Sequence, residues 1–352
     1  MSSPKILSIA CVTPPHYTSH AEFITQAEVW LQNQPQEVRN KALSIFQNAN
    51  VNGRYTVLPL NQVFAPMTLD AKNGFYRQAV VDYAEMALRQ ALDKAKLDPM
   101  NIDCLIITSC TGHMSPSLDA FLINRLNLKP TIQRMPIMEM GCVGGAAGLT
   151  YAENYLRAYP NHHVALIAAE LCSITFQRED FSWANIVSTA IFGDGVACAI
   201  LGPSLELKPR ILDSQMYHFR ETTNLLGFDL YSTGFHMVLD ESLPRTIMSH
   251  FSAFMQPVLD EYGLTLESID YFLVHPGGKA ILEKIERRLR PHGKNLEDSR
   301  SILRQYGNVS SATILFILAL LLDRPIPAHD KALLIGFGPG VTANTILLEW
   351  EE

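Results

Sequence analysis

The chain has 352 residues, 47% of them hydrophobic and 18% charged, with a formal net charge of -7. That length suffices for two packed units around a large interior. The charged fraction lies below the ~25% of an average soluble domain, which points to a big core or a broad subunit interface. The acidic balance speaks against nucleic acid or an anionic membrane surface as the main partner.

The opening Met1-Ser2-Ser3-Pro4-Lys5 lacks the basic-then-apolar pattern of a secretory leader. The longest apolar run, Ile314 to Leu322, is far shorter than the ~20 residues a spanning helix needs. A cytoplasmic protein is therefore expected. Six cysteines, Cys11, Cys104, Cys110, Cys142, Cys172 and Cys198, are scattered along apolar segments without CxxC spacing. Reduced thiols and no metal site are expected. His162-His163, in the turn after Pro160, reads as solvated surface.

Helical and strand patterns alternate along the chain, which predicts an α/β fold. A helix ending in Ala91 to Leu97 leads through Ile102-Asp103 into a strand at Cys104 to Thr108. Val258 to Leu264 leads in the same way through Ile269-Asp270 into a strand at Tyr271 to His275. The likeness suggests a duplicated unit. The turn at Gly202-Pro203, after a strand at Val196 to Leu201, is the natural boundary, dividing the chain into 1–203 and 204–352.

The run Gly141-Cys142-Val143-Gly144-Gly145-Ala146-Ala147-Gly148 lies between a strand at Thr131 to Met138 and a helix expected over Leu149 to Tyr159. A thiol at such a turn faces a helix N-terminus, whose free N–H groups and dipole favour the thiolate. The alternative is a structural cysteine beside a small-residue packing site. His275, delivered by its strand to a Pro276-Gly277-Gly278 turn, lies where open α/β sheets place active sites. Asn308 and Ser310, in Tyr306-Gly307-Asn308-Val309-Ser310-Ser311, open the apolar helix Ala312 to Leu322. Taken singly, these are an ordinary strand-end histidine and an ordinary helix cap. Together they make a Cys-His-Asn series.

These motifs, with Gly336-Phe337-Gly338-Pro339-Gly340 after them, resemble the chalcone/stilbene synthase superfamily, the type III polyketide synthases, over nearly the whole chain. The resemblance implies a thiolase fold of two duplicated αβαβα halves sharing one core, a homodimer, and coenzyme A thioester substrates with no metal or redox cofactor. It implies that Cys142 carries the growing acyl chain, while His275 and Asn308 donate hydrogen bonds to the thioester oxygen as malonyl-CoA loses carbon dioxide. Phe192 and Phe235 are similar to the family's gatekeeper pair. Cys110, Thr111, Glu170, Cys172, Thr175 and Ser310 match cavity positions, and the backbone at Gly338 is expected to border the cavity. Met114 resembles the residue that reaches into the neighbouring subunit.

Two departures stand out. The stretch Phe46 to Arg54, where plant members carry basic coenzyme A contacts, retains only Arg54. Arg54, Lys279 and Ala280 are therefore the expected coenzyme A contacts. Cys110 and Cys172 replace threonines of plant chalcone synthases, as in bacterial members that make tetrahydroxynaphthalene or phloroglucinol. A small polyphenol or pyrone from malonyl-CoA, with or without an acyl-CoA starter, is the expected product. A ketoacyl synthase III acting on acyl carrier protein shares the Cys-His-Asn order, and delivery by a carrier protein stays open. A papain-like hydrolase also shares that order but usually has an aromatic residue after its cysteine, where Val143 stands here.

Overall fold

A computed structural model describes residues 4–351. Met1 to Ser3, part of the stretch read for a leader, and Glu352 lie outside the described residues. Thirteen strands form among the described residues: β1 (Lys5–Val12), β2 (His16–Ser19), β3 (Gly53–Thr56), β4 (Cys104–Thr108), β5 (Gln133–Ile137), β6 (Val164–Leu171), β7 (Asp194–Gly202), β8 (Lys208–His218), β9 (Leu226–Tyr231), β10 (Gly234–Leu239), β11 (Tyr271–Val274), β12 (Lys331–Gly338) and β13 (Thr342–Glu351). Nine of them share one sheet in the order β11-β12-β13-β8-β1-β7-β6-β4-β5. Every residue of β4, β6 and β7 is buried, as expected of strands covered on both faces, which is why they read as continuous apolar runs.

The two ends of the sheet repeat one design. β4 runs parallel to β6, which pairs antiparallel with β7. β11 runs parallel to β12, which pairs antiparallel with β13. The entry to each parallel pair is braced identically. The Asp103 amide donates to the His163 carbonyl at 2.8 Å and its carboxylate accepts from the His163 amide at 2.8 Å. Asp270 makes the same two bonds with Lys331, at 2.9 and 2.8 Å. The duplication expected from Ile102-Asp103 and Ile269-Asp270 thus has a physical basis, a carboxylate that pins the neighbouring strand's first amide. The halves meet where Lys5 of β1 pairs with Arg210 of β8.

Two helices lie between the halves. Gly144–Ala158 packs on β4 and β6 of one half and on β8, β12 and β13 of the other. Thr313–Leu322 packs on β1 and β7 and on β11 and β12. The second helix is apolar nearly all round, the mark of a helix with no solvent face. Outside the sheet, the long helix Leu69–Ala95 covers β1, β6 and β7, while Phe251–Glu261 covers β8 and β13. The succession is helix, strands, helix pair, strands, helix, the five layers of a thiolase fold. Among the described residues no helix is long and apolar enough to cross a membrane, and all six cysteines are free.

Candidate active site

The nucleophile turn is built from backbone reversal and close packing. β5 ends at Ile137, and the chain turns back through two residues in the left-handed region, Glu139 (φ 62) and Gly141 (φ 50). A one-turn helix over Gly141–Val143 then feeds the helix Gly144–Ala158. This helix begins five residues before the expected Leu149. Gly144 to Gly148 carry no hydrophobic period to read, and the helix there is held by tertiary contact instead. A Cβ on Gly145 would lie 2.1 Å from the carbonyl oxygen of Ser311. That approach brings the Cys142 turn against the Ser310–Ala312 turn.

The Cys142 sulfur lies 3.6 Å from Ser310 Oγ and 4.0 Å from Asn308 Nδ2. Asn308 is fixed from every side. Its amide donates to the Ile191 carbonyl at 2.7 Å, and its carbonyl accepts from Gly193 at 3.0 Å. Its side-chain Oδ1 accepts from the Ser310 amide at 2.9 Å and from Thr313 Oγ1 at 3.1 Å. With the oxygen engaged, the NH2 group is the end that faces the sulfur, and this network assigns the amide's orientation. Ser310 itself holds φ 49, a conformation costly for a residue with a side chain and characteristic of functional sites.

His275 follows directly on β11, its amide donating to Ile335 of β12 at 2.8 Å. β12 in turn presses Gly338 against Val143 of the nucleophile turn, so histidine and cysteine share one end of the sheet. The imidazole is 1% exposed, and neither ring nitrogen has a hydrogen-bond partner among the described residues. Buried polar atoms without partners are rare. Burial pushes the ring's pKa down to about 3 and the Cys142 thiol up to about 12. The expectation of a thiolate made by the helix terminus alone is corrected here. Bonds from Ser310, Asn308 and the cysteine's own backbone favour the anion, but desolvation outweighs them.

Beside the sulfur runs a second polar chain. Glu170, fully buried at the end of β6, accepts from the Cys110 amide at 3.1 Å and from Thr111 Oγ1 at 2.9 Å. The Ser311 hydroxyl donates to it as well. Cys110 Sγ lies 3.4 Å from Ser310 Oγ, which links this network to Cys142. Burial raises the Glu170 carboxyl, and its hydrogen bonds offset part of that rise. Ser311 was visible in the sequence only as the neighbour of Ser310; its contact with Glu170 is long-range and left no local signal.

A pocket lies alongside, lined among others by Cys172, Thr175, Phe176, Phe192, Phe228 and Phe235. Phe192 pairs backbone to backbone with Asn308, so the cavity borders the cysteine site at that ring. Thr111 and Thr175 both line a smaller adjoining pocket. Phe228 and Met237, missed in the sequence, enter the wall from the β9–β10 hairpin.

Two expectations are corrected by geometry. Arg54 does not face solvent phosphate. It is 4% exposed, and its guanidinium donates to the carbonyls of Thr189 (2.7 Å), Ala190 (2.6 Å) and Phe192 (3.0 Å). It closes the C-terminus of the helix Trp183–Ile191, where unsatisfied carbonyls and the dipole favour a cation. Met114 is 8% exposed and packs in its own chain's core. Gly338 ends β12 and packs under the Cys142 turn, a strand residue where a tight loop bordering the cavity was expected. Lys279 and Ala280 open the helix Lys279–Leu289 at the surface, and Lys279 Nζ lies 3.8 Å from Glu283.

The architecture, with Cys142 and Asn308 brought within 4.0 Å of each other, is that of a thiolase-fold condensing enzyme. The family models "Chalcone and stilbene synthases, N-terminal domain" and "C-terminal domain" match residues 4–204 and 212–350. The chain belongs to the chalcone and stilbene synthase family. It is 31% identical to a putative chalcone synthase of Bacillus subtilis, over 99% of each chain. It is 31% identical to phloroglucinol synthase of Pseudomonas fluorescens, over 98% of this chain and 99% of that one. The crystal structure of 1,3,6,8-tetrahydroxynaphthalene synthase from Streptomyces coelicolor, a bacterial type III polyketide synthase, superposes with a TM-score of 0.93 at 30% identity, covering 99% of both chains. The protein is accordingly an acyltransferase of the type III polyketide synthase kind.

Proposed function

We propose that this enzyme loads an acyl group on Cys142, extends it with malonyl-CoA, and closes the chain to a small polyphenol or pyrone. The observation that carries the reading is the oriented Nδ2 of Asn308, 4.0 Å from the sulfur, together with a buried His275 ring that has no hydrogen-bond partner among the described residues. In the first half-reaction His275 takes the Cys142 proton, the sulfur attacks the thioester carbonyl, and the coenzyme A thiol leaves. In the second, malonyl-CoA loses carbon dioxide. The electron pair stays on the α-carbon, and the thioester oxygen, now enolate-like, is met by hydrogen bonds from Asn308 and His275. That carbanion attacks the Cys142 acyl carbon and frees the sulfur. No base has to abstract a carbon-bound proton, and decarboxylation itself supplies the nucleophile, so no cofactor is invoked.

The half spanning 1–203 supplies the nucleophile, and the half spanning 204–352 supplies His275 and Asn308. Phe192 and Phe235 form the gate to the cavity. Cys110, Thr111, Glu170, Cys172, Thr175 and Ser310 shape it, with Gly338 supporting the turn from below. Lys279 and Ala280 meet coenzyme A at the surface; the Lys279–Glu283 pair is half-exposed and loose, so the ammonium is available to a phosphate. The assembly is a cytoplasmic homodimer. Two relatives are named for polyphenols, tetrahydroxynaphthalene and phloroglucinol, which supports malonyl-CoA as both starter and extender.

Mass spectrometry of products from purified enzyme with malonyl-CoA alone, and with acyl-CoA or acyl-carrier starters added, tests the reading. Cys142→Ala is expected to abolish polyketide formation. Asn308→Ala is expected to slow malonyl decarboxylation by ~10²–10³. Full turnover by either variant would refute the assigned roles.

A further inference from the structure

The β9–β10 hairpin is a two-stranded sheet separate from the main one, and its tip is exposed, with Leu230 at 63% and Tyr231 at 57%. Such a hairpin is marginal by itself, yet it contributes Phe228, Phe235 and Met237 to the cavity wall. Its position therefore depends on its ties to the body.

Lys72 supplies one tie. It sits in the first turn of the helix Leu69–Ala95, where the dipole disfavours a cation. It is 7% exposed and forms no ion pair among the described residues. Its Nζ donates to the Phe176 carbonyl at 2.7 Å and to the Thr233 carbonyl at 3.2 Å. Gln177 makes the parallel connection, its Nε2 donating to the Thr175 carbonyl at 2.9 Å and the Phe235 carbonyl at 3.0 Å. Each side chain thus joins the 175–176 segment, one part of the cavity wall, to the 233–235 segment, which carries Phe235 of that wall. Between the two hooks lies Gly234, at φ 129, where a Cβ would stand 2.7 Å from Gln177 Nε2 and 3.7 Å from Lys72 Nζ. Burying an ammonium without an anion is unfavourable and pushes its pKa down to about 8. A neutral side chain would pack there more easily, so the cation's two bonds are what its presence achieves.

We propose that Lys72, with Gln177, is a positioning residue that sets the spacing between the two cavity walls and so the length of acyl chain the enzyme accepts and releases. The proposal rests on the reading that the ketide grows in the cavity lined by Phe192 and Phe235.

The experiment compares Lys72→Met, Gln177→Leu and Gly234→Ala with Phe235→Leu as a control. The readouts are product distribution, KM across a series of acyl-CoA starters, and malonyl decarboxylation. Lys72→Met is expected to change the preference between starters of different length by about tenfold, the scale of a few methylenes in an apolar pocket. Its decarboxylation rate and the iodoacetamide titration of Cys142 are expected to stay at wild-type values. Gln177→Leu and Gly234→Ala should shift the preference in the same direction, and Lys72→Arg, which keeps a cationic donor, should largely retain the wild-type pattern. Unchanged preference in the three latch variants while Phe235→Leu alters products would overturn the latch and leave the cavity assignment standing. Unchanged products in all four would overturn the cavity assignment too. Loss of decarboxylation in step with melting temperature would show Lys72 to be structural only.

Discussion

Arg54→Met separates two roles for one arginine. Methionine keeps the apolar stem that lies against Phe23, whose ring centroid is 4.2 Å from the guanidinium carbon, and removes three donors at once. The carbonyls of Thr189, Ala190 and Phe192 would be left without their partner, at ~1–3 kcal/mol for each buried group. Relief from burying a guanidinium offsets several kcal/mol of that sum. The expected net loss is ~3–5 kcal/mol, or about 6–10 °C in Tm at ~2 °C per kcal/mol for a chain of this size. Asp194, whose carboxyl burial holds at about 6 with Arg54 opposing the rise, would move higher still. Because the freed helix end leads into Phe192, product distribution should broaden while the malonyl-CoA KM of the folded enzyme stays near its wild-type value. Thermal melts and initial-rate kinetics on the same preparation read both effects. A variant that melts within a degree of the wild type but needs far more malonyl-CoA would refute the structural role and return Arg54 to the coenzyme A site.

Gly145→Ala places a methyl 2.1 Å from the Ser311 carbonyl oxygen, and the two turns must part by about an ångström. We expect ~1–3 kcal/mol of destabilisation from overpacking and ~10² in turnover from misplacement of Asn308 and Ser310 relative to the sulfur. Full activity with a normal melt would disprove the contact's importance. Lys279→Ala should raise the malonyl-CoA KM without changing kcat or Tm, and an unchanged KM would sink the phosphate assignment. Asp194 offers a pH test. Its folded pKa, about 6, lies above the unfolded ~3.9, so its stabilising contribution is complete below ~3.9 and is lost as pH rises to 6. Relative to Asp194→Asn, the wild type should lose about 2 kcal/mol between pH 4 and 7; parallel melting curves across that range would contradict it.

Much of the fold could be read because its strands are long, apolar and introduced by the same Ile-Asp pair in each half. The helix Thr313–Leu322 was equally legible from its unbroken apolar run. The early start at Gly144 was not, since small residues carry no period and their helix is imposed by close packing on Ser311 of the other half and Leu166 of β6. At the site, Cys142, His275 and Asn308 were legible from short motifs at strand ends. The structure places Asn308 Nδ2 4.0 Å from the sulfur. Arg54 misled because a lone basic residue in a polar stretch looks exposed, whereas its fate was decided 135 residues away at Thr189. Lys72 was invisible for the same reason: both its acceptors are backbone carbonyls, which sequence never distinguishes.

The sulfur is rooted in one half of the sheet, while the imidazole and carboxamide hang from the other, and the halves touch through packed helices more than through paired strands. Slippage of a fraction of an ångström along that seam would silence the chemistry with every bond and every local element intact. Hydrostatic pressure or a bulky substitution along the Gly144–Ala158 helix should therefore quench turnover well before spectroscopic unfolding is detected.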